Sequence, residues 1–337
     1  MVMETSAPRR LTGWAPGGGC SCKIAPGELE ALLAAAYGEL GPPVSSAGEL
    51  LCGLESGDDA TVVSIGPGTA IVTTTDFFPP VVDDAFDWGR IAATNAISDV
   101  YAMGGEPVSA LNLLAWPTEG LAREVAAEVL RGGRVVADEG GFVLAGGHSI
   151  AADTPMYGLA ATGVADPDRL LRNDAARPGD PLSLTKPLGL GILNNWHKTT
   201  GEPIEEAIVT MTTSNREPAR AALGAGIRAV TDVTGFGLLG HLYKMARASG
   251  VTAVVDSRAV AYLDGARQLL SEGYVPGGTR RNLEWVRPHL EAAVDDTELL
   301  LLADAQTSGG LLLGGELPGV PVIGEFVASL GPAVVVR

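Results

Sequence analysis

Hydrophobic and polar positions along this chain repeat with two periods, and the places where one period gives way to the other mark out its elements. Residues 26–40 carry apolar positions at helical spacing and predict a first helix. Residues 61–65 and 70–75 are β-branched runs flanking Gly66-Pro67-Gly68, a hairpin signature. Residues 89–103 read as a helix that stops at Gly104-Gly105, and 121–139 as another. Strands are expected at 142–145, leading into Gly146-Gly147-His148, and at 157–164, completing an N-terminal α+β unit.

The stretch 166–181 is rich in Asp, Arg, Pro and Gly without a period, which makes it the candidate linker. Beyond it the pattern predicts a strand near 182–185, helices at 203–212 and 216–225, and a strand–turn–helix unit centred on Asp232. Strands near 251–256, 310–313 and 320–323 follow. The expected organisation is a flexible Gly- and Cys-containing arm over 1–25, an N-terminal domain over 26–167 and a C-terminal α+β domain over 168–337.

This patterning brings acidic groups together. Symmetric pairing about the hairpin turn sets Asp59 and Asp76 at its open end, where like charges repel and a bound cation would relieve them. In the 89–103 helix, Asn95, Ser98 and Asp99 form a polar stripe on a surface of Ala, Ile and Val, which reads as facing a ligand. The segment from Thr231 through Asp232 to Gly240 contains GxGxxG, with Asp256 about twenty residues on, and so imitates a dinucleotide fingerprint. A carboxylate at 232 would repel a pyrophosphate unless metal intervened, so a metal-ligand role gains ground, while a purely structural tight turn stays open. Burying several carboxylates without cations is costly, whereas magnesium bridging a nucleotide's phosphates would neutralise them; phosphoryl transfer is the chemistry that fits.

Residues 17–23 nearly imitate a phosphate-binding loop, but Cys22 stands where glycine is needed and Ile24 where a hydroxyl is needed. What remains is Cys20-Ser21-Cys22-Lys23, in which the Lys23 ammonium could stabilise a thiolate and reach a phosphate; an exposed cysteine pair of no consequence is the alternative. Asp58-Asp59 could equally be turn residues, and His148 a hydrogen-bonded core histidine rather than a ligand contact.

Composition narrows the class. At 337 residues with 46% hydrophobic and 19% charged positions, the chain can bury about two cores. Its 40 acidic against 23 basic residues, a net charge of −17, argue against nucleic acid and anionic membranes as partners. Three cysteines are too few for a disulfide framework, and no apolar run has signal or membrane-spanning length, so a soluble cytoplasmic enzyme is expected.

Eight blocks in order carry a resemblance. Gly19-Cys20-Ser21-Cys22-Lys23, Asp58-Asp59-Ala60 and Thr74-Thr75-Asp76-Phe77-Phe78 come first, then residues 89–99, Ala145-Gly146-Gly147-His148-Ser149 and residues 231–241. Val275-Pro276-Gly277-Gly278-Thr279 and Gln306-Thr307-Ser308-Gly309-Gly310 extend the series over nearly the whole chain. In this the chain resembles the selenophosphate synthetases. The resemblance implies a two-domain α+β fold shared with aminoimidazole ribonucleotide synthetase, and a homodimer formed by the N-terminal sheets. It implies conversion of ATP, selenide and water to selenophosphate, phosphate and AMP with Mg2+. By motif position, Asp59, Asp99 and Asp232 match magnesium ligands; Lys23, Ser56, Gly57, Asp58, Asp76 and Asp99 match nucleotide contacts. Gly147, His148 and Ser149 match residues that reach ATP from the partner subunit, and Cys20, beside Lys23, matches the catalytic position. Two departures stand out: Ser21 replaces a glycine, and Ser56-Gly57 replaces a segment often bearing threonine and arginine, which weakens individual phosphate contacts.

Overall fold

The structure, a computed structural model, describes residues 9–17, 22–24, 26–38, 43, 45–53 and 58–337. Its first half is a six-stranded sheet ordered β1-β2-β3-β6-β4-β5. The strands are β1 (Glu49–Cys52), β2 (Thr61–Gly66), β3 (Thr69–Phe78), β4 (Glu106–Trp116), β5 (Val143–Ala151) and β6 (Met156–Ala165). Helices α1 (Pro26–Tyr37), α2 (Ala85–Ala102) and α3 (Arg123–Gly140) accompany them, with α2 and α3 packed on one face of the sheet.

The hairpin forms as its β-branched runs predict. Thr61 faces Thr73 and Ser64 faces Ala70, with a bulge before Gly66. Carried outward, that register sets Asp59 against Thr75, beside Asp76. Along β3 the side chains alternate, so Thr74 and Asp76 share the face of buried Val72, the face that meets α2.

Helix α2 begins earlier than its apolar period indicates, because Asp84 caps it by accepting the Asp87 N–H at 2.8 Å. Trp88, fully buried in the added turn, stacks on Trp116 and meets Tyr157 edge-on. Helix α3 crosses α2 closely through glycines: a Cβ on Gly89 would lie 2.0 Å from the Val129 carbonyl oxygen.

The second half is a seven-stranded mixed sheet ordered β10-β13-β9-β12-β7-β11-β8. Its strands are β7 (Pro181–Leu184), β8 (Val230–Asp232), β9 (Val251–Val255), β10 (Leu290–Ala292), β11 (Leu311–Gly314), β12 (Val322–Ala328) and β13 (Val334–Val336). Around it lie α4 (Leu190–Thr200), α5 (Glu205–Thr212), α6 (Arg216–Ala225), α7 (Gly237–Ser249), α8 (Ala266–Ser271), α9 (Gly277–Val286) and α10 (Asp296–Leu302). Helix α2 also touches β8, α5 and α6, so one helix braces both halves. Among the described residues, no helix is long and apolar enough to cross a membrane.

The described start of the chain is docked rather than free, unlike the flexible arm expected over 1–25. Leu11 and Thr12 are buried in a short turn, and Asp83 accepts from Thr12 Oγ1 at 2.6 Å and from Arg10 at 2.9 Å. Lys198 Nζ donates to the carbonyls of Ala15 and Gly17. Anchoring by carboxylate and carbonyl partners far along the chain leaves no periodic trace in a Gly- and Pro-rich segment.

The α2–α3 crossing gives a stability test. Gly89→Ala forces the two backbones apart and should destabilise the fold by about 1–3 kcal/mol, read as a lower urea midpoint. An unchanged midpoint would mean that the helices do not cross this tightly in solution.

Candidate active site

The polar stripe of α2 points into the cleft where the two sheets meet. Asn95 and Ser98 are buried on it and Asp99 is partly so. Asp59 arrives from the turn before β2 and Asp232 from the end of β8, and one carboxylate oxygen from each of the three lies within 4.8 Å of the others. Side-chain hydroxyls and amides hold each acid in place. Thr74 Oγ1 donates to Asp99 at 2.5 Å, Ser98 Oγ to Asp232 at 2.6 Å and Thr231 Oγ1 to Asp59 at 2.8 Å. Asn95 Nδ2 donates to Asp76 at 2.5 Å, and the other Asp76 oxygen lies 3.4 Å from Lys23 Nζ.

Burial and mutual repulsion dominate the electrostatics of these acids. Burial and the neighbouring Asp232 charge push the Asp59 carboxyl up, and burial with Asp232, Asp76 and Asp59 raises Asp99. Asp232 is pushed up to about 6 by burial, against the downward pull of the Ser98 hydroxyl and Lys23. A bound cation would offset the repulsion and the lost hydration that raise all three acids. Asp59 Oδ2 is buried with no hydrogen-bond partner, and an acceptor in that condition beside two further carboxylates fits a hard divalent cation such as magnesium.

The expected site residues fall into groups. Asp59, Asp99, Asp232, Asp76 and Lys23 come together in the cleft. Cys20, Ser56 and Gly57 lie outside the described residues. Asp58 is engaged with the Asn173 N–H at 2.6 Å and with the Cys52 thiol, tying the β2 approach to the chain beyond the first sheet. Gly147, His148 and Ser149 lie on β5 at the sheet edge, beyond β6 and β4 from β3. The stretch at Gly147 is glycine for a reason other than ligand approach: a Cβ there would sit 2.1 Å from the Asn112 carbonyl oxygen on β4. Cys22 is exposed, its thiol raised by partial burial against the lowering influence of Lys198. Residues that sequence reasoning passed over are the hydroxyl holders Thr74 and Thr231 and the amide of Asn215, which donates to Ser98 Oγ and to the Gly309 carbonyl.

The dinucleotide alternative fails on topology. Strands β8 and β9, which would have to lie together in such a unit, are separated by β11, β7 and β12. Asp256 instead caps a short turn and pairs with Arg258.

Residues 57–165 match the AIR synthase related protein, N-terminal domain, and 177–312 its C-terminal domain. Selenide, water dikinase of Bordetella bronchiseptica is 49% identical over 329 residues, covering 97% of this chain and 93% of that protein. The Pseudomonas aeruginosa protein of the same name is 48% identical, covering 96% and 94%. The chain belongs to the selenide, water dikinase family. Two solved structures share the fold at low identity. Thiamine monophosphate kinase from Aquifex aeolicus superposes with a TM-score of 0.64 at 17% identity, covering 92% of this chain and 96% of that one. Hydrogenase maturation protein HypE in complex with ATP gives 0.60 at 20% identity, covering 97% and 93%. The α+β class and the resemblance read from the eight blocks are thus borne out.

A metal test follows from the raised carboxyls. A folded pKa above the ordinary value of 3.8 favours folding at low pH, and that contribution is lost as pH rises through about 6. Magnesium should therefore raise the Tm by several degrees near pH 7.5 and far less near pH 5. Asp99→Asn should keep or raise the metal-free Tm while abolishing the magnesium shift in scanning fluorimetry; an undiminished shift would remove Asp99 from the ligand set.

Proposed function

We propose that this cleft carries out magnesium-assisted phosphoryl transfer from ATP to selenide, with water consumed and selenophosphate, phosphate and AMP formed. The observation that carries the proposal is the meeting of Asp59, Asp99 and Asp232, with an orphaned carboxylate oxygen on Asp59. Family membership supplies the reaction, and the cleft supplies the means.

Asp59, Asp99 and Asp232 would hold the metal. Bound magnesium supplies positive charge that screens the triphosphate, so that anionic selenide can approach the γ-phosphorus. The chain's own residues orient and stabilise. Lys23, steadied by Asp76, directs its ammonium toward phosphate oxygens, and Asn95 fixes Asp76 in turn. The hydroxyls of Thr74, Ser98 and Thr231 hold the carboxylates in one geometry, so little reorganisation is left for the reaction. Cys20 is assigned the handling of selenium, and the segment containing Ser56, Gly57 and Asp58 the approach to phosphate.

A homodimer built on the first sheet completes the proposal. The face opposite α2 and α3 leaves Phe77, Leu111, Val143 and Ile150 about half exposed or more. Strand β5, at the edge of the sheet, carries His148 along with two of these residues. Covering that face would bury the apolar side chains and deliver Gly147, His148 and Ser149 to a second cleft.

Two experiments test these readings. Phosphorus NMR of ATP with selenide should show selenophosphate, phosphate and AMP, with Cys20→Ser losing at least tenfold more product than Cys22→Ser; equal, near-normal rates in both would reject the Cys20 role. Ile150→Glu should convert a dimer to a monomer in sedimentation, and an unchanged dimer would place the interface elsewhere.

A further inference from the structure

Lys186 lies two residues past the end of β7 and is buried, 8% exposed. Its ammonium donates to two carbonyls from distant segments, Thr213 at 2.6 Å and Ser308 at 2.9 Å. Burial lowers its pKa to about 7, against an upward pull from Asp232. A cation kept inside at that cost needs a compensating role.

Both carbonyls belong to segments that orient the cleft. Ser308 has φ 52°, the one non-glycine positive φ among the described residues, and its N–H donates to Asn95 Oδ1 at 2.8 Å. Asn95 then donates through Nδ2 to Asp76. Two residues past Thr213, Asn215 donates at 2.9 Å both to Ser98 Oγ and to the Gly309 carbonyl, and Ser98 donates to Asp232. Close packing leaves these segments little freedom: a Cβ on Gly309 would lie 2.1 Å from the Val233 carbonyl oxygen, and one on Gly310 would lie 2.4 Å from the backbone nitrogen of Lys186.

We propose that Lys186 is a positioning residue for the metal and nucleotide site, fixing through the 213–215 and 306–310 segments the amides that aim Asp232 and Asp76. The inference rests on the metal reading given above. A rival account, in which Lys186 is only a counter-charge to the acids, predicts the opposite sign. Removing a positive charge near the carboxylates would tighten a divalent cation, whereas releasing the two segments would loosen it.

The test is Mn2+ binding to the full-length protein, followed by electron paramagnetic resonance at 10 °C without nucleotide. Lys186→Met should weaken Mn2+ at least tenfold, Lys186→Arg should recover most of that loss, and adding Asn215→Ala to Lys186→Met should cost less than threefold more. Should Lys186→Met fail to fold, Lys186→Gln, which keeps a neutral donor, is read by the same criterion. Unchanged or tighter Mn2+ in a folded variant overturns the proposal, even if the Tm falls. Wild-type protein that binds no Mn2+ removable by Asp99→Asn sinks the metal reading, and this inference with it.

Discussion

Mutual repulsion among Asp59, Asp99 and Asp232 is the constraint around which the rest is arranged. The three carboxylates come from a turn, a helix and a strand end, and are brought within 4.8 Å in a cleft that strips much of their water. Nothing in ordinary folding favours that meeting. It is sustained by the full burial of Trp88 and its neighbours on α2, by the close α2–α3 crossing, and by a hydroxyl donor on each acid. The fold thus spends apolar packing to hold a mutually repelling cluster, a strain that a cation would relieve.

Local signals in the sequence were strong where one interaction decides the structure. The Gly66-Pro67-Gly68 hairpin, the α2 stripe, α6 and the strand–turn–helix around Asp232 all rest on short-range pattern, and all are present. Strand β4 was not foreseen, although it pairs with both β5 and β6 near one edge of the first sheet: Pro107 and a mixed sequence hide its alternation, and its position is fixed by partners far along the chain. Helix α4 and the short elements α8, α9, α10, β10 and β13 were missed for the same reason. Strand β5 runs on to Ala151 through Gly146-Gly147, which local punctuation marks as a stop and which tertiary pairing overrides.

For the site, the acids could be read from the sequence and their supports could not. Aspartates at strand ends and on an apolar helix are conspicuous because burying them is costly. Thr74, Thr231, Asn215 and Lys186 are ordinary residues in their local contexts, and only the fold shows that each donates to a carboxylate or to a segment that steers one. Motif spacing alone leaves a dinucleotide alternative at Gly235 to Gly240, which sheet order rather than glycine count removes.

The bracing of both halves by α2 has a mechanical corollary. Asp99 rides on the helix that also packs against the first sheet, while Asp232 belongs to the second. Any hinge-like movement of one half against the other changes the gap between them, so on the metal reading proposed above ion occupancy and interdomain closure would be thermodynamically linked: whatever clamps the halves would tighten the ion, and the ion would latch the halves in equal measure.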